Sequence, residues 1–330
     1  MDSIIATVDS WLFGRSMTPP SSLVLHGHAG ITTFVAFLPG GDCILSASVD
    51  GTIRSWNVPD RNHKLIKEVL VLAVVVSPDG RRIATGEKGG KVRVWDVSMS
   101  EEISQSAGSH SSAVRSLSFS PDSSRVASGV QDGSVSVWRT TTGEQLAGPF
   151  GEHKNYVCGI CYAPNGRRIA SCDKETVLIR EDDSVIWIIE KAWSLAWSPD
   201  GDGLFVGCKD GSIKYFDPFT GVLLAISVCH SDAVLSIALS HSGKFFASAS
   251  RDGTVRLWET ATRYQVGATL RHNCSIHSIA ISLDDRQLVS GAWDSCVRSW
   301  DLSKIAPSLF EGMPLASNHP VSSFLSKCIG

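Results

Sequence analysis

Short runs of alternating apolar and polar residues recur along the chain, separated by turn-forming residues. Residues 114–150 show the pattern plainly, because "VRSLSF", "RVASGV", "VSVWR" and "QLAGPF" each have the length of a strand. The turns between them contain Pro-Asp, Asp-Gly and Thr-Gly, and Asp-Gly is a strong hairpin signal. The alternation therefore predicts a unit of four short antiparallel strands.

This unit repeats at a regular spacing. A Trp ends the third strand in five units, at Trp56, Trp95, Trp138, Trp258 and Trp300. Arg180 and Phe216 end similar runs in the remaining gap, and the seven positions lie 36 to 43 residues apart. A second mark precedes the first strand of five units, at His28, His110, His153, His230 and His272. Seven four-stranded units at this spacing are typical of a β-propeller.

The two ends of the array complement each other. The last unit ends after its third strand, at "CVRSWDL", whereas the first is preceded by an additional apolar run, "SSLVLHG". We expect Leu23–Leu25 to be the fourth strand of the last blade, because this pairing removes an open sheet edge. The predicted fold class is all-β, a seven-bladed propeller over residues 22–302.

The segments on either side of the array have different patterns. In residues 1–21, one helical face carries Ile4, Ile5, Val8, Trp11 and Leu12. We expect a short helix that docks on the propeller flank or on a partner. Residues 303–330 are rich in Ser and Pro, which predicts a poorly ordered extension.

The repeated pattern, as in "SASRDGTVRLWE", resembles the WD-repeat β-propeller family over residues 22–302. The resemblance implies that the His, a strand Ser, the turn Asp and the Trp of one blade form a hydrogen-bonded tetrad. Four units have all of these residues: His28, Ser46, Asp50 and Trp56; His110, Ser128, Asp132 and Trp138; His230, Ser248, Asp252 and Trp258; His272, Ser290, Asp294 and Trp300.

Three units depart from the tetrad pattern, and we expect them to depend on apolar packing. The second has Lys67 and Gly89 at the His and Asp positions but keeps Thr85 and Trp95. The fourth keeps His153 but has Lys174 at the Asp position and Arg180 at the Trp position. The fifth keeps Asp210 and has Ile188, Val206 and Phe216 at the other three positions.

The residues give no support for catalysis, so we expect neither an enzyme nor a cofactor or metal. Ser, His and Asp recur four times, but the Ser lies mid-strand without nucleophile-elbow glycines. Cys158 and Cys161 form a lone C-x-x-C on a strand, where positions three apart face opposite sides. The glycines of "GEKGGKV" have the wrong spacing for a phosphate loop.

The composition narrows the expected partners and the expected cellular location of the protein. The net charge of −3 provides no general attraction to nucleic acid or membranes. No apolar run approaches the ~20 residues of a membrane helix. Nine scattered Cys residues without a secretory signal predict reduced thiols and a cytoplasmic or nuclear location.

Function is then expected on a surface. The resemblance implies that partners dock on the face with the Asp turns, at the residue before each turn Asp and the residue five after each loop His. The first set maps to Val49, Lys88, Gln131, Asp173, Lys209, Arg251 and Trp293. The second maps to Thr33, Leu72, Arg115, Cys158, Trp193, Leu235 and His277, with Tyr156 and Lys191 two residues before members of that set.

We hypothesise that the partner-binding face is centred on the basic, aromatic and polar members of these sets, namely Lys88, Arg115, Gln131, Tyr156, Lys191, Trp193, Lys209, Arg251, His277 and Trp293. Aromatic residues beside Arg favour protein interaction, and basic groups favour acidic or phosphorylated peptides. Nucleic acid is a weaker alternative. The oligomeric state is left open.

The function predicted from the sequence is a non-catalytic scaffold or adaptor. Two alternatives stay open, a substrate-recognition subunit of a ubiquitin ligase and a regulatory sensor module of a signalling complex. Receptors that are recruited to a ubiquitin ligase through their propeller often carry Arg three residues after the blade Trp. The absence of Arg at those positions counts against the first alternative, since they hold Pro59, Ser98, Thr141, Ala261 and Ser303.

Overall fold

The computed structural model describes residues 22–310, except residues 61, 100, 107, 109, 182 and 183. The helix expected in residues 1–21 lies outside the described residues, as does the expected extension beyond residue 310. The described chain contains 28 strands, all paired antiparallel, in seven four-stranded sheets.

The strands follow the blades in sequence order after β1 (Leu23–Leu25). Blade one has β2 (Thr32–Phe37), β3 (Cys43–Ser48), β4 (Thr52–Asn57) and β5 (Asn62–Glu68). Blade two has β6 (Val71–Val76), β7 (Arg82–Glu87), β8 (Val92–Asp96) and β9 (Glu102–Gln105). Blade three has β10 (Val114–Phe119), β11 (Arg125–Val130), β12 (Val135–Arg139) and β13 (Gln145–Phe150).

The remaining blades repeat this arrangement. Blade four has β14 (Gly159–Tyr162), β15 (Arg168–Cys172), β16 (Thr176–Glu181) and β17 (Ser184–Ile189). Blade five has β18 (Ala192–Trp197), β19 (Leu204–Cys208), β20 (Ser212–Phe216) and β21 (Leu223–Val228). Blade six has β22 (Val234–Leu239), β23 (Phe245–Ser250), β24 (Thr254–Glu259) and β25 (Gln265–Arg271). Blade seven has β26 (Ile276–Ile281), β27 (Gln287–Ala292) and β28 (Val297–Asp301), and β1 is its outer strand.

The predicted seven-bladed ring and its closure are confirmed. Leu23 pairs with Ser299, Val24 with Arg298 and Leu25 with Val297, so β1 completes the sheet of β26 to β28. The first strands of the blades lie nearest the ring axis, and β2 contacts the first strands on both sides, β6 and β26. All seven blades therefore belong to one continuous ring.

The hydrophobic core lies between neighbouring blades. Ile83 and Trp95 of blade two pack with Leu45 and Ile53 of blade one in a single buried cluster. Adjacent sheets approach so closely that a Cβ added to Gly129 would lie 2.4 Å from Cγ1 of Val157 in the next blade. Each blade is thus stabilised by its neighbours, as in other stacked repeat proteins.

A short helical segment follows blade seven. Helix α1 (Leu302–Ile305) is capped by the Asp301 carboxylate, which accepts a hydrogen bond from the Ser303 amide at 3.1 Å. A single 3₁₀ turn, Pro307–Phe310, comes next, and its Leu309 and Phe310 pack on the cluster of blades six and seven. The first residues of the segment that the sequence analysis assigned to an extension thus form helical turns, and their apolar side chains pack on the propeller.

Candidate functional site

A buried hydrogen-bond network connects the Trp, Ser and His of each complete tetrad, and in blades one and six it includes the Asp. In blade one, the Trp56 indole N–H donates to Oγ of Ser46 at 2.7 Å, and that oxygen lies 2.7 Å from Nε2 of His28. Nδ1 of His28 lies 3.1 Å from the Asp50 carboxylate. This order of contacts fits an Nδ1–H that donates to Asp50 and an Nε2 that accepts from Ser46.

Blade six has the same network. Trp258 donates to Ser248 at 2.8 Å, Ser248 lies 2.8 Å from His230, and His230 lies 3.0 Å from Asp252. The Asp252 carboxylate also accepts from the amide of Ser231 at 3.1 Å. The network thus connects the Asp turn to the loop that enters the first strand.

In blades three and seven the Trp, Ser and His are connected, but the Asp has a different partner. In blade three, the hydroxyl of Ser111 donates to Asp132 at 2.5 Å. In blade seven, Nδ1 of His272 lies 4.0 Å from Asp294, and the Arg298 guanidinium contacts both groups. Burial, followed by the charge of Arg298, lowers the pKa of His272 to about 4, so this imidazole is neutral at pH 7.

Blades two and five replace the network in different ways. In blade two, Trp95 donates to Oγ1 of Thr85 at 2.9 Å, and the Lys67 ammonium lies 3.8 Å from the Trp95 ring centroid. In blade five, three apolar residues are buried together at the polar positions, namely Ile188, Val206 and Phe216. Apolar packing therefore stabilises blade five, whereas blade two adds a cation–π contact.

Blade four shows that the sequence alignment of its turn was wrong by one residue. The His153 imidazole lies 2.8 Å from Ser171 and 3.6 Å from Asp173, so Asp173 has the place that was assigned to Lys174. Asp173 is fully buried and accepts from the amides of residues 155, 175 and 176. The Asp comes two residues after the Ser here, against four in the complete tetrads, because the turn is tighter.

The Arg180 side chain leaves a gap at the Trp position of blade four. It contacts Glu152, and its guanidinium carbon lies 3.9 Å from the Phe150 ring centroid. A cavity of about 20 Å³ lies beside it, lined by His153, Ser171 and Leu178 among others. The cavity is small for any ligand other than a single water.

The Ser hydroxyls of the tetrads are buried and already engaged in hydrogen bonds. Ser46 and Ser248 are fully buried, and each oxygen is already engaged by an indole and an imidazole. Within the described residues there is also no cluster of three His, Cys, Asp or Glu side chains that could bind a metal ion. Nor is any helix in that part of the chain long and apolar enough to span a lipid bilayer.

The two cysteines of the lone C-x-x-C pack against the same buried cluster, which contains Cys172. Sγ of Cys158 lies 3.6 Å from Sγ of Cys172 on the neighbouring strand. Burial raises the pKa of the Cys161 thiol to about 12 and that of Cys172 well above its ordinary value, so both thiols are protonated at neutral pH. The thiolate is the form that binds metals, so these surroundings disfavour a metal site.

A backbone hydrogen bond recurs on the face with the Asp turns. It connects the turn to the residue that precedes the first strand of the same blade. In six blades, the amide of the residue before the turn Asp or Gly donates to the carbonyl just before the first strand. Examples are Gln131 to Ala113 at 2.9 Å and Arg251 to Ala233 at 2.9 Å. In the same six blades the second residue of the first strand lies at a β-bulge, which redirects side chains. These bulge residues are Thr33, Leu72, Arg115, Trp193, Leu235 and His277.

Seven side chains on this face, from blades three to seven, form two neighbouring groups of contacts, which together we call the cation–aromatic row. Its members are Arg115, Tyr156, Lys174, Trp193, Arg251, His277 and Trp293. The Arg115 guanidinium lies 5.5 Å from the Tyr156 ring, and Tyr156 meets Trp193 edge-on at 6.4 Å. Lys174 lies 4.7 Å from the Tyr156 ring.

The row continues into blades six and seven. Arg251 lies 5.5 Å from the Trp193 ring. His277 stacks on Trp293 with 5.7 Å between centroids, and Trp293 is 52% exposed. Burial, followed by the charge of Arg251, lowers the pKa of His277.

The structure places the other expected residues of this face around the row. Lys88, Gln131, Lys191 and Lys209 are exposed, and Gln131 accepts from Arg115 at 2.8 Å. Asp173, mapped to the same face from the sequence, is buried instead. The sequence analysis did not assign Lys174 to this face. The sequence feature that could have indicated it is the shorter turn between β15 and β16.

Comparisons with known proteins agree with this geometry. A family model described as "WD domain, G-beta repeat" matches residues 20–57, 62–96, 102–139, 144–188, 221–259 and 265–301, well over half of the chain. A model for the WD40 domain of anaphase-promoting complex subunit 4 matches residues 168–238. The repeat model leaves out residues 189–220, which contain β18 to β20 of blade five.

Similar curated proteins share only short regions with this chain. A periodic tryptophan protein 2 homolog of Neurospora crassa is 33% identical over 81 residues, 24% of this chain and 9% of the relative. The mouse homolog is 32% identical over 92 residues, covering 26% and 10%. Telomerase protein component 1 of Mus musculus is 26% identical over 87 residues, covering 26% and 3%. This chain therefore spans a tenth or less of these much longer proteins.

Proposed function

The chain belongs to the WD40-repeat family, and we propose that it is a non-catalytic scaffold that binds other proteins through the cation–aromatic row. The family supports a role in protein interaction in general. The choice of face, and of an acidic or phosphorylated segment as its ligand, is the specific part of the proposal.

One observation carries the proposal: three cations of the row are positioned but not neutralised. Arg115, Lys174 and Arg251 each lie against an aromatic ring. Among the described residues, none of the three has a carboxylate within 4.0 Å, whereas Arg93, Arg168 and Lys214 all do. Their positive charge is therefore available to a ligand.

The rings contribute more than contact area. A cation–π contact at an exposed site contributes about 0.5–1 kcal/mol, which restricts the Arg and Lys side chains before a ligand arrives. Restriction in the free protein lowers the entropy lost on binding. Carboxylates and phosphates form strong charge-assisted hydrogen bonds with guanidinium groups, so an acidic segment is the ligand that this chemistry favours.

An affinity-capture experiment tests the face. The intact chain is compared with Arg115→Ala/Arg251→Ala/Trp293→Ala and with a control, Arg81→Ala/Arg167→Ala/Trp187→Ala. The control removes the same residue types from exposed positions outside the row, in the turns on the opposite face and on the outer strand of blade four. Captured proteins are quantified by mass spectrometry, and both variants are first matched to the wild type in circular dichroism and melting temperature.

We expect the row variant to lose partners that the control variant keeps. A poly-glutamate peptide should elute those same partners from the wild-type chain. Identical captured sets for the wild type and the row variant would overturn the proposal that partners bind at the cation–aromatic row. If the row variant loses partners that poly-glutamate does not elute from the wild type, the proposal of an acidic ligand is rejected and the binding face is retained.

We further propose that the protein acts in the cytoplasm or nucleus. Free thiols lie at Cys158, Cys161, Cys172, Cys208, Cys229, Cys274 and Cys296, which fits a reducing compartment. A fluorescent fusion imaged in cells tests the location, and a secreted or vesicular signal would contradict it.

A further inference from the structure

The outer strands of the blades differ in how their free edges are protected. Charged residues lie in β5, β9 and β25, Pro149 lies in β13, and β1 has only three residues. Charges, proline and shortness all discourage pairing of a free edge with another strand. Two outer strands have none of these features, β17 and β21. Strand β17 is flanked in sequence by Asp183 and Glu190, which leaves β21 as the least protected edge.

Strand β21 is apolar on its exposed side. Residues 222–229 have the sequence "VLLAISVC", with no charge and one polar residue. Val228 is 83% exposed, and Val222, Leu223, Leu224 and Ile226 are each 42–55% exposed. The strand pairs with β20 on one side and, within the described residues, with no strand on the other. Lys214, which lies opposite Ile226 on β20, is already paired with Glu190 at 2.5 Å.

The sequence of β21 is compatible with pairing to itself. In an antiparallel pair centred on Ala225, Leu224 lies opposite Ile226 of the second strand, and Val222 lies opposite Val228. Residues directly opposite share a face of the sheet, so Ile226 and Val228 and their copies would contribute to one apolar stripe. The pairing of β21 with β20 is irregular at Leu224, between Leu223 and Ala225, so strict alternation holds from Ala225 to Val228 and the bulge bends the strand before it. No like charges meet in this register, and the two-fold arrangement closes without exposing a further edge.

The exposed area approaches the size that a dimer needs. Aromatic side chains bury about 150–250 Å² each, and aliphatic ones fall near or below the low end of that range. With about 150 Å² for an aliphatic residue and about 200 Å² for Phe219, the exposed fractions of Val222, Leu223, Leu224, Ile226, Val228 and Phe219 sum to roughly 540 Å² in each copy, against the ~800 Å² per partner of a standard interface. Backbone hydrogen bonds between the two strands add to this contact.

We propose that two copies of this chain associate through β21, in an antiparallel pair centred on Ala225, to form a continuous eight-stranded sheet from the two fifth blades. This interface lies on the flank of blade five, away from the cation–aromatic row. The dimer can therefore exist whether or not the proposed partner-binding face is correct.

Sedimentation velocity and light scattering test the dimer. The wild type should have twice the chain mass of 35.4 kDa, and Ile226→Lys should have that mass once. The matched control is Leu65→Lys, a partly exposed Leu on outer strand β5, which already carries Lys64 and Lys67. The control should stay dimeric, and both variants should keep the circular dichroism spectrum of the wild type.

A crosslink tests the register. Ala225→Cys places two thiols opposite each other across the two-fold axis, where Cα atoms of paired antiparallel residues lie about 4.5–5.5 Å apart, a distance that suits a disulfide. Oxidation should give a covalent dimer on a non-reducing gel. The wild type and Ala147→Cys, on outer strand β13, should not.

Three results would overturn the proposal. They are a monomeric wild type at high protein concentration, a dimeric Ile226→Lys variant, and a dimer without the Ala225→Cys crosslink. A monomer whose β21 amides are protected from hydrogen exchange would also overturn it and would assign the edge to another segment of the same chain.

Discussion

Replacing Asp252 with Ala should destabilise the propeller by about 1–3 kcal/mol, because one buried donor loses its acceptor. The Asp252 carboxylate accepts from Nδ1 of His230 at 3.0 Å, the amide of Ser231 at 3.1 Å, and the amide and hydroxyl of Thr254 at 2.9 and 2.6 Å. The Ser231 amide can hydrate after the substitution, and His230 keeps Oγ1 of Thr254 at 3.0 Å. The buried Thr254 amide is left without its acceptor, and an unsatisfied buried donor costs about 1–3 kcal/mol.

Asp132→Ala is the matched control, because Asp132 has the same turn position in blade three. Its contacts are the hydroxyl of Ser111 and the amide and hydroxyl of Ser134, at 2.5, 2.9 and 2.6 Å. The Asp132 side chain lies at the surface, where water can replace it, so its loss should cost about 1 kcal/mol or less. Urea unfolding, followed by far-ultraviolet circular dichroism, measures the free energy of unfolding of both variants. An equal loss of stability in Asp252→Ala and Asp132→Ala would refute the argument that burial sets the difference.

The pH dependence provides a second check on Asp252. Burial raises the pKa of this carboxyl, but hydrogen bonds with His230 and Thr254 lower it by more, so the net shift is below 3.8. A lowered pKa means that the carboxylate stabilises the folded state above the pKa of the unfolded chain. The stability lost in Asp252→Ala should be constant near neutral pH and shrink as the pH falls below 3.8. A difference that grows in acid would contradict this sign.

Two further predictions concern other blades. Arg180→Trp should fill the cavity of about 20 Å³ in blade four, provide an indole donor for Ser171 and raise the free energy of unfolding by about 1 kcal/mol; an unchanged or lower melting temperature would contradict this. The pKa of His272 is lowered to about 4 from 6.5, so the unfolded chain binds a proton there first and stability should decline as the pH falls from 6.5 towards 4. In Arg298→Gln the imidazole should titrate at a higher pH in an NMR experiment, because a neighbouring positive charge is gone, and an unchanged titration would exclude the effect of Arg298.

The repeat marks in the sequence were sufficient to predict the architecture. Trp and His at fixed spacing located most blades, and the unpaired run at Leu23–Leu25 predicted the closure. Even blade five, where Phe216 replaces Trp, was placed correctly because its strands keep their alternation.

The details of the face could not be derived in the same way. A turn shortened between Ser171 and Asp173 moved Lys174 onto the surface, and spacing alone gave no reason to choose between the two residues. The cation–aromatic row depends on contacts between neighbouring blades, which join residues about 40 positions apart. Such contacts follow from the closed ring and not from any local pattern.

The pairing of Leu23–Leu25 with β28 joins segments about 270 residues apart. During synthesis, β1 can therefore pair with β28 only after almost the whole array has left the ribosome. Until then the nascent chain is an open arc, and blade seven is completed last. Chaperones that cover exposed β-sheet would have their longest opportunity to act at that junction.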